Sequence, residues 1–144
     1  MPSTFVGSDL SAGEGKRMSN SLSEAAVGDL RASVRGAVLR PEDAQYDQAR
    51  KVWNGMIDKR PAVIVRCVAA ADVVQAVRFA RENKLLVSVR GGGHSASGNA
   101  VCDGGTMIDL SPMKSIRVNP SHKTARAEPG VLLGDSTVRR KPLA

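Results

Sequence analysis

Three consecutive glycines and a histidine, Gly91-Gly92-Gly93-His94, follow the apolar run Leu85 to Val89, with Arg90 between them. Glycine lets the backbone take positive φ and lets a ligand come close to main-chain N–H groups. A series of such N–H groups forms a concavity that binds anions. The expected guest is a phosphate or a pyrophosphate. Three familiar glycine loops fail on inspection. Gly93 to Gly98 has the outer glycines of a P-loop, but Asn99-Ala100 stands where Lys and Ser/Thr are required. A dinucleotide fingerprint needs its third glycine elsewhere and a helix after it. A nucleophile elbow needs glycine two residues after the serine, and Ser95 is followed there by Ser97. A plain turn between two strands would use the same glycines. The loop alone therefore leaves both readings open.

Positioning such a loop takes a scaffold, and the flanking sequence supplies one. Ala62 to Val65 is a continuous apolar run, as in a strand covered on both faces. From Ala71 to Asn83 the pattern is helical: Val73, Ala76, Val77 and Ala80 share one face, and Asp72, Gln75, Arg78 and Glu82 the other. Asp72 lies in the first turn, where negative charge suits the helix dipole. Leu85 to Val89 reads as another buried strand, so a βαβ unit delivers the chain into the loop. Upstream, Ser21 and Glu24 fit a capping box before Leu22, Ala25, Ala26 and Leu30. Gly36 to Leu39 reads as a short strand, and Glu42 to Trp53 as helical or irregular. Six of the fourteen glycines lie between Gly91 and Gly105. Beyond them come short strand candidates at Thr106 to Leu110, Ser115 to Val118 and Thr124 to Ala127, with Pro120 to Lys123 as a hairpin turn. A parallel α/β part thus leads into an antiparallel part.

The 144 residues make about one domain, with ordinary hydrophobic (42%) and charged (24%) content. Aromatics are only 3%, too few for single-strand stacking platforms. The net charge of +7 is spread along the chain, and its densest run is Arg139-Arg140-Lys141. This argues against nucleic acid as a partner. Cys67 and Cys102 are 35 residues apart, with neither a disulfide framework nor zinc spacing. They read as ordinary reduced thiols, and no metal is expected. Residues 1–20 are polar and rich in Ser and Gly, which predicts a flexible leader. With no secretory signal or transmembrane run, a cytoplasmic protein without membrane contact is expected.

The segment Arg90-Gly91-Gly92-Gly93-His94 after an apolar strand resembles the signature of berberine-bridge-enzyme-like oxidases, a branch of the PCMH-type, or vanillyl-alcohol-oxidase, flavoproteins. The resemblance runs in order from about residue 35 to 135. It takes in Tyr46 to Arg50, Trp53-Asn54, Arg60 to Cys67, Asp72 to Glu82, Asp103-Gly104-Gly105, Ile108 to Ser111, Glu128 to Val131 and Gly134-Asp135. It implies an α+β fold in which the N-terminal α/β subdomain is complete and the second, antiparallel subdomain is only begun. It implies FAD as cofactor, a pyrophosphate loop at Arg90, Gly91, Gly92, Gly93, His94 and Ser95, and a covalent flavin link at His94. Neutral imidazole is the nucleophilic form, and histidine supplies it near neutral pH. Neither cysteine matches the family's second flavin link, and His122, in the hairpin turn, is given no role.

The implied chemistry is oxidation of a small organic substrate by hydride transfer to the flavin, with reoxidation by oxygen. The family's base and substrate pocket lie in its C-terminal half, so no catalytic base is assigned. The chain by itself is expected to be inactive, poorly soluble and weak in FAD affinity, because the second sheet lacks partners. The rival expectations are a non-enzymatic module for a phosphate ligand or nucleic acid, and a truncated product without function. Residues 136–144 depart from the family pattern. The resemblance implies a continuation such as Asp-Phe-Asp-Arg-Glu-Thr-Gln-Ala-Phe-Gly-Leu-Ala. Deleting one T from a suitably chosen coding of that stretch gives Asp-Ser-Thr-Val-Arg-Arg-Lys-Pro-Leu-Ala and a stop, as in Asp135 to Ala144. A frameshifted tail is the expectation, and sequencing the other reading frame tests it.

Overall fold

The computed structural model describes residues 22–138. The expected leader and Ser21 lie outside that range. Helix α1 (Glu24–Ser33) is capped by Ser23, whose hydroxyl accepts the Ala26 N–H at 3.1 Å. Then come β1 (Ala37–Leu39), the single turn α2 (Tyr46–Ala49), β2 (Val63–Arg66), α3 (Ala70–Glu82), β3 (Val87–Arg90), β4 (Thr106–Asp109), β5 (Ile116–Asn119), β6 (Thr124–Ala127) and α4 (Leu133–Val138). Helix α4 crosses the boundary expected after Asp135.

Strands β1 to β4 form one sheet in the order β1-β2-β4-β3. β1 runs antiparallel to β2, while β4 is parallel to both β2 and β3. Alternation along the strands divides the core. Val63, Val65 and Ile108 face α1 and α3, where they meet Val27, Leu30, Ala76 and Phe79. Ile64 and Met107 face the other way, onto Leu39, Tyr46 and Val101. Each fully buried aliphatic side chain contributes about 1.5–3 kcal/mol. β5 and β6 form a separate antiparallel ribbon, with Ile116 opposite Ala127. As expected, its turn lies at Pro120 to Lys123, where the Lys123 N–H donates to the Pro120 carbonyl at 3.2 Å.

Three sequence expectations are corrected. β4 does not open the antiparallel part; it lies in the middle of the parallel sheet, wholly buried, between the two strands that α3 connects. β3 is an edge strand, not a buried one: Val87 and Val89 share the face that α3 covers over β2 and β4, yet both stay partly exposed. Val77, placed on the apolar face of α3, is half exposed, and Asp72, placed on the polar face, is buried. Asp72 accepts the Arg35 and Val68 N–H groups, both at 2.9 Å. It thereby joins the approach to β1 with the turn between β2 and α3.

Tyr46 anchors the far face. It is 1% exposed, and its hydroxyl donates to the Pro61 carbonyl at 2.6 Å. Burial raises its pKa, and nearby Arg50 and Arg60 offset this only in part. Tyr46→Phe leaves that carbonyl unpartnered and is expected to cost about 1 kcal/mol. Urea unfolding should show a lower midpoint; an unchanged midpoint would contradict the role.

Candidate cofactor site

The parallel strands end side by side. Arg66, Arg90 and Asp109 are their last residues and lie in register. Ligands of open α/β sheets bind outside these carboxyl ends. A crevice of about 320 Å³ opens here, lined by Gln45, Gln48, Arg66, Arg90, Asp109 and Ser111. Asp109 is 1% exposed and accepts Arg66 Nε at 3.2 Å and the Ser111 N–H at 3.0 Å. The sequence reading gave Arg66 and Asp109 no role at the site. The signal available was their shared position, each ending an apolar strand.

The glycine loop leaves β3 at this point. Gly93 has φ +77°, the left-handed region that glycine occupies without strain. Beneath it lies the Arg90 guanidinium, with Nε 3.2 Å from where a Gly93 Cβ would stand. Arg90 Nη1 donates to the Ala49 carbonyl. Its Nε is buried without a partner among the described residues. Gly91 is required for a different reason, because a Cβ there would stand 2.6 Å from the Pro129 carbonyl oxygen. Among the described residues, the N–H groups of Gly92, Gly93, His94 and Ser95 donate to no protein acceptor. His94 is exposed. Ser95 closes the loop: its carbonyl accepts the Gly98 N–H at 3.2 Å and its hydroxyl the Asn99 N–H at 3.3 Å. All six expected loop residues are thus contiguous, but Arg90 and Ser95 turn their side chains to the loop's own support.

The thiols stand apart from this chemistry. Burial, followed by the charges of Asp72 and Asp109, pushes the Cys67 thiol up to about 12. Cys102 is buried and accepts the Ser88 hydroxyl at 3.3 Å. His122 is exposed, with Nδ1 3.2 Å from Asn119 Oδ1.

The sequence model of a family described as an FAD binding domain matches residues 61–137, more than half of the chain. The chain belongs to that family. Over 103 residues it is 42% identical to (R)-6-hydroxynicotine oxidase of Paenarthrobacter nicotinovorans, covering 72% of this chain and 22% of that protein. The crystal structure of 6-hydroxy-D-nicotine oxidase from Arthrobacter nicotinovorans superposes with a TM-score of 0.72 at 40% identity, over 74% of this chain and 24% of that one. A berberine-bridge-enzyme-like protein from Physcomitrella patens gives 0.64 at 27% identity, over 69% and 22%. The chain therefore spans about a quarter of the length of these relatives. They are PCMH-type flavoproteins, and FAD is the cofactor of this domain. The loop's residues fit it. Among the described residues, four successive N–H groups of the loop have no protein acceptor, the donor set that suits anionic oxygens. Among the described residues, no helix is long and apolar enough to cross a membrane, and no cluster of His, Cys, Asp and Glu is suited to a metal ion.

Proposed function

We propose that the loop from Arg90 to Ser95 receives the FAD pyrophosphate, that His94 is the point of covalent flavin attachment, and that the protein serves oxidation of a small organic substrate. The observation that carries this reading is the run of N–H groups from Gly92 to Ser95 that have no acceptor among the described residues, at the carboxyl end of β3, with an exposed histidine in its midst. The fixed N–H dipoles hold negative charge at no further reorganisation cost. The flavin, when bound, supplies hydride acceptance from substrate, with oxygen as the final acceptor. This chain's residues bind and orient it: the peptide groups of the loop take the phosphates, and His94 tethers the ring system. That the 42% identical relative is named an oxidase of 6-hydroxynicotine supports an organic substrate.

Fluorescence titration tests the loop's role. In the His94→Ala chain, which cannot form the covalent link, FAD is expected to bind reversibly and to be displaced by inorganic pyrophosphate. Riboflavin, which carries no phosphate, is expected to bind at least about tenfold more weakly, the equivalent of one charge-assisted hydrogen bond. Equal affinity for FAD and riboflavin would contradict a pyrophosphate loop here.

A further inference from the structure

The segment from Trp53 to Lys59 runs alongside the glycine loop and holds it by its carbonyls. The Trp53 N–H donates to the Gly93 carbonyl at 3.0 Å. Asn54 Nδ2 donates to the Ala96 carbonyl at 3.2 Å. Lys59 Nζ donates to the Gly98 carbonyl at 3.2 Å. Two adjacent residues thus pin the carbonyls on either side of His94-Ser95. In a trans peptide the C=O and the following N–H point in opposite directions. Holding the Gly93 and Ala96 carbonyls on the Trp53–Asn54 side therefore turns the His94 and Ser97 N–H groups to the other side. A loop of glycines and small residues has little stiffness of its own. Released from Asn54, the peptide between Ala96 and Ser97 is free to present its carbonyl oxygen to an incoming phosphate.

We propose that Asn54 is a positioning residue for the cofactor's phosphates: its side-chain amide holds the Ala96 carbonyl on the Trp53 side and so keeps that oxygen from turning toward a phosphate bound at the neighbouring Gly92 to Ser95 N–H groups. The inference rests on the assignment of the loop to FAD pyrophosphate. Asn54 also has a local task. Its Oδ1 accepts the Met56 N–H at 3.1 Å, and its carbonyl accepts the Ile57 N–H at 3.0 Å, closing a turn. The test must separate the two tasks.

Asn54→Ser does so in the full chain carrying His94→Ala, in which FAD binding is reversible and which serves as the reference for affinity. A serine hydroxyl caps the same kind of turn, but is too short to reach Ala96. The unfolding midpoint is expected to match that of the reference while FAD affinity falls about fivefold, the worth of one hydrogen bond. Asn54→Asp is the second variant. It keeps the shape and the acceptor for Met56, cannot donate to Ala96, and should show the same loss at a salt concentration high enough to screen its added charge. Either variant binding FAD as tightly as the reference overturns the inference and leaves the FAD assignment standing. A reference chain for which FAD and riboflavin are equivalent overturns the assignment, and the inference with it.

Discussion

Asp72→Ala is expected to destabilise the fold by about 2 kcal/mol, since it removes a buried carboxylate that accepts two part-buried N–H groups, each charge-assisted bond worth about 1–3 kcal/mol. The carboxylate is 1% exposed and holds N–H groups from two places far apart in sequence, Arg35 and Val68. The nearby Gly36 and Ala69 backbone also favours the charged carboxylate. Against a total stability of about 5–15 kcal/mol for a domain, this is a large fraction. The pH dependence follows from opposed effects on the same group. Burial, the largest single influence, raises its pKa, and the backbone N–H bonds together outweigh it, so the folded value lies below the ordinary 3.8. A depressed carboxylate contributes stability that is present above its unfolded pKa and lost as pH falls through the folded one. The gap between wild type and variant should therefore be full at neutral pH and shrink below about pH 4. Denaturant unfolding at neutral and acid pH checks both points. Equal midpoints at neutral pH, or a gap that persists undiminished in acid, would contradict the assignment.

The same residue shows where sequence reading stops. Helical periodicity located α3 to within a residue at each end. It assigned Asp72 to solvent because a charge on a helical wheel counts as polar surface. The N–H donors that make its burial favourable, Arg35 and Val68, come from tertiary structure and from the turn before the helix. Val77 and Val89 went wrong in the opposite sense: apolar residues at core spacing were read as buried, but β3 is an edge, and coverage depends on neighbours that periodicity does not encode. The place of β4 between β2 and β3 was illegible for a related reason. A helix joining two strands announces a crossover, and the strand that later inserts between them arrives through long-range pairing. What the sequence did carry was local. Glycines followed by His94 after an apolar strand name a conformation, which the positive φ at Gly93 shows, while the chemistry came only from the family resemblance. Asn54 entered only as part of a resemblance. Nothing about an Asn-Gly pair reveals that its amide reaches a carbonyl at residue 96.

The covalent link is the central claim, and its loss is the other large effect. His94 is exposed on a loop whose flanking carbonyls are held by Trp53 and Asn54, so alanine there removes a reactive group without disturbing the core. The chain is incubated with FAD, denatured and precipitated with acid, and the pellet is read for flavin absorbance and for the mass of a one-to-one adduct. The wild type is predicted to keep its flavin through precipitation, with the adduct mapping to the peptide that contains His94. The His94→Ala chain is predicted to release all of its flavin to the supernatant while melting at the same temperature. Acid-stable flavin in the His94→Ala pellet, or an adduct mapped to any other residue, would contradict the account.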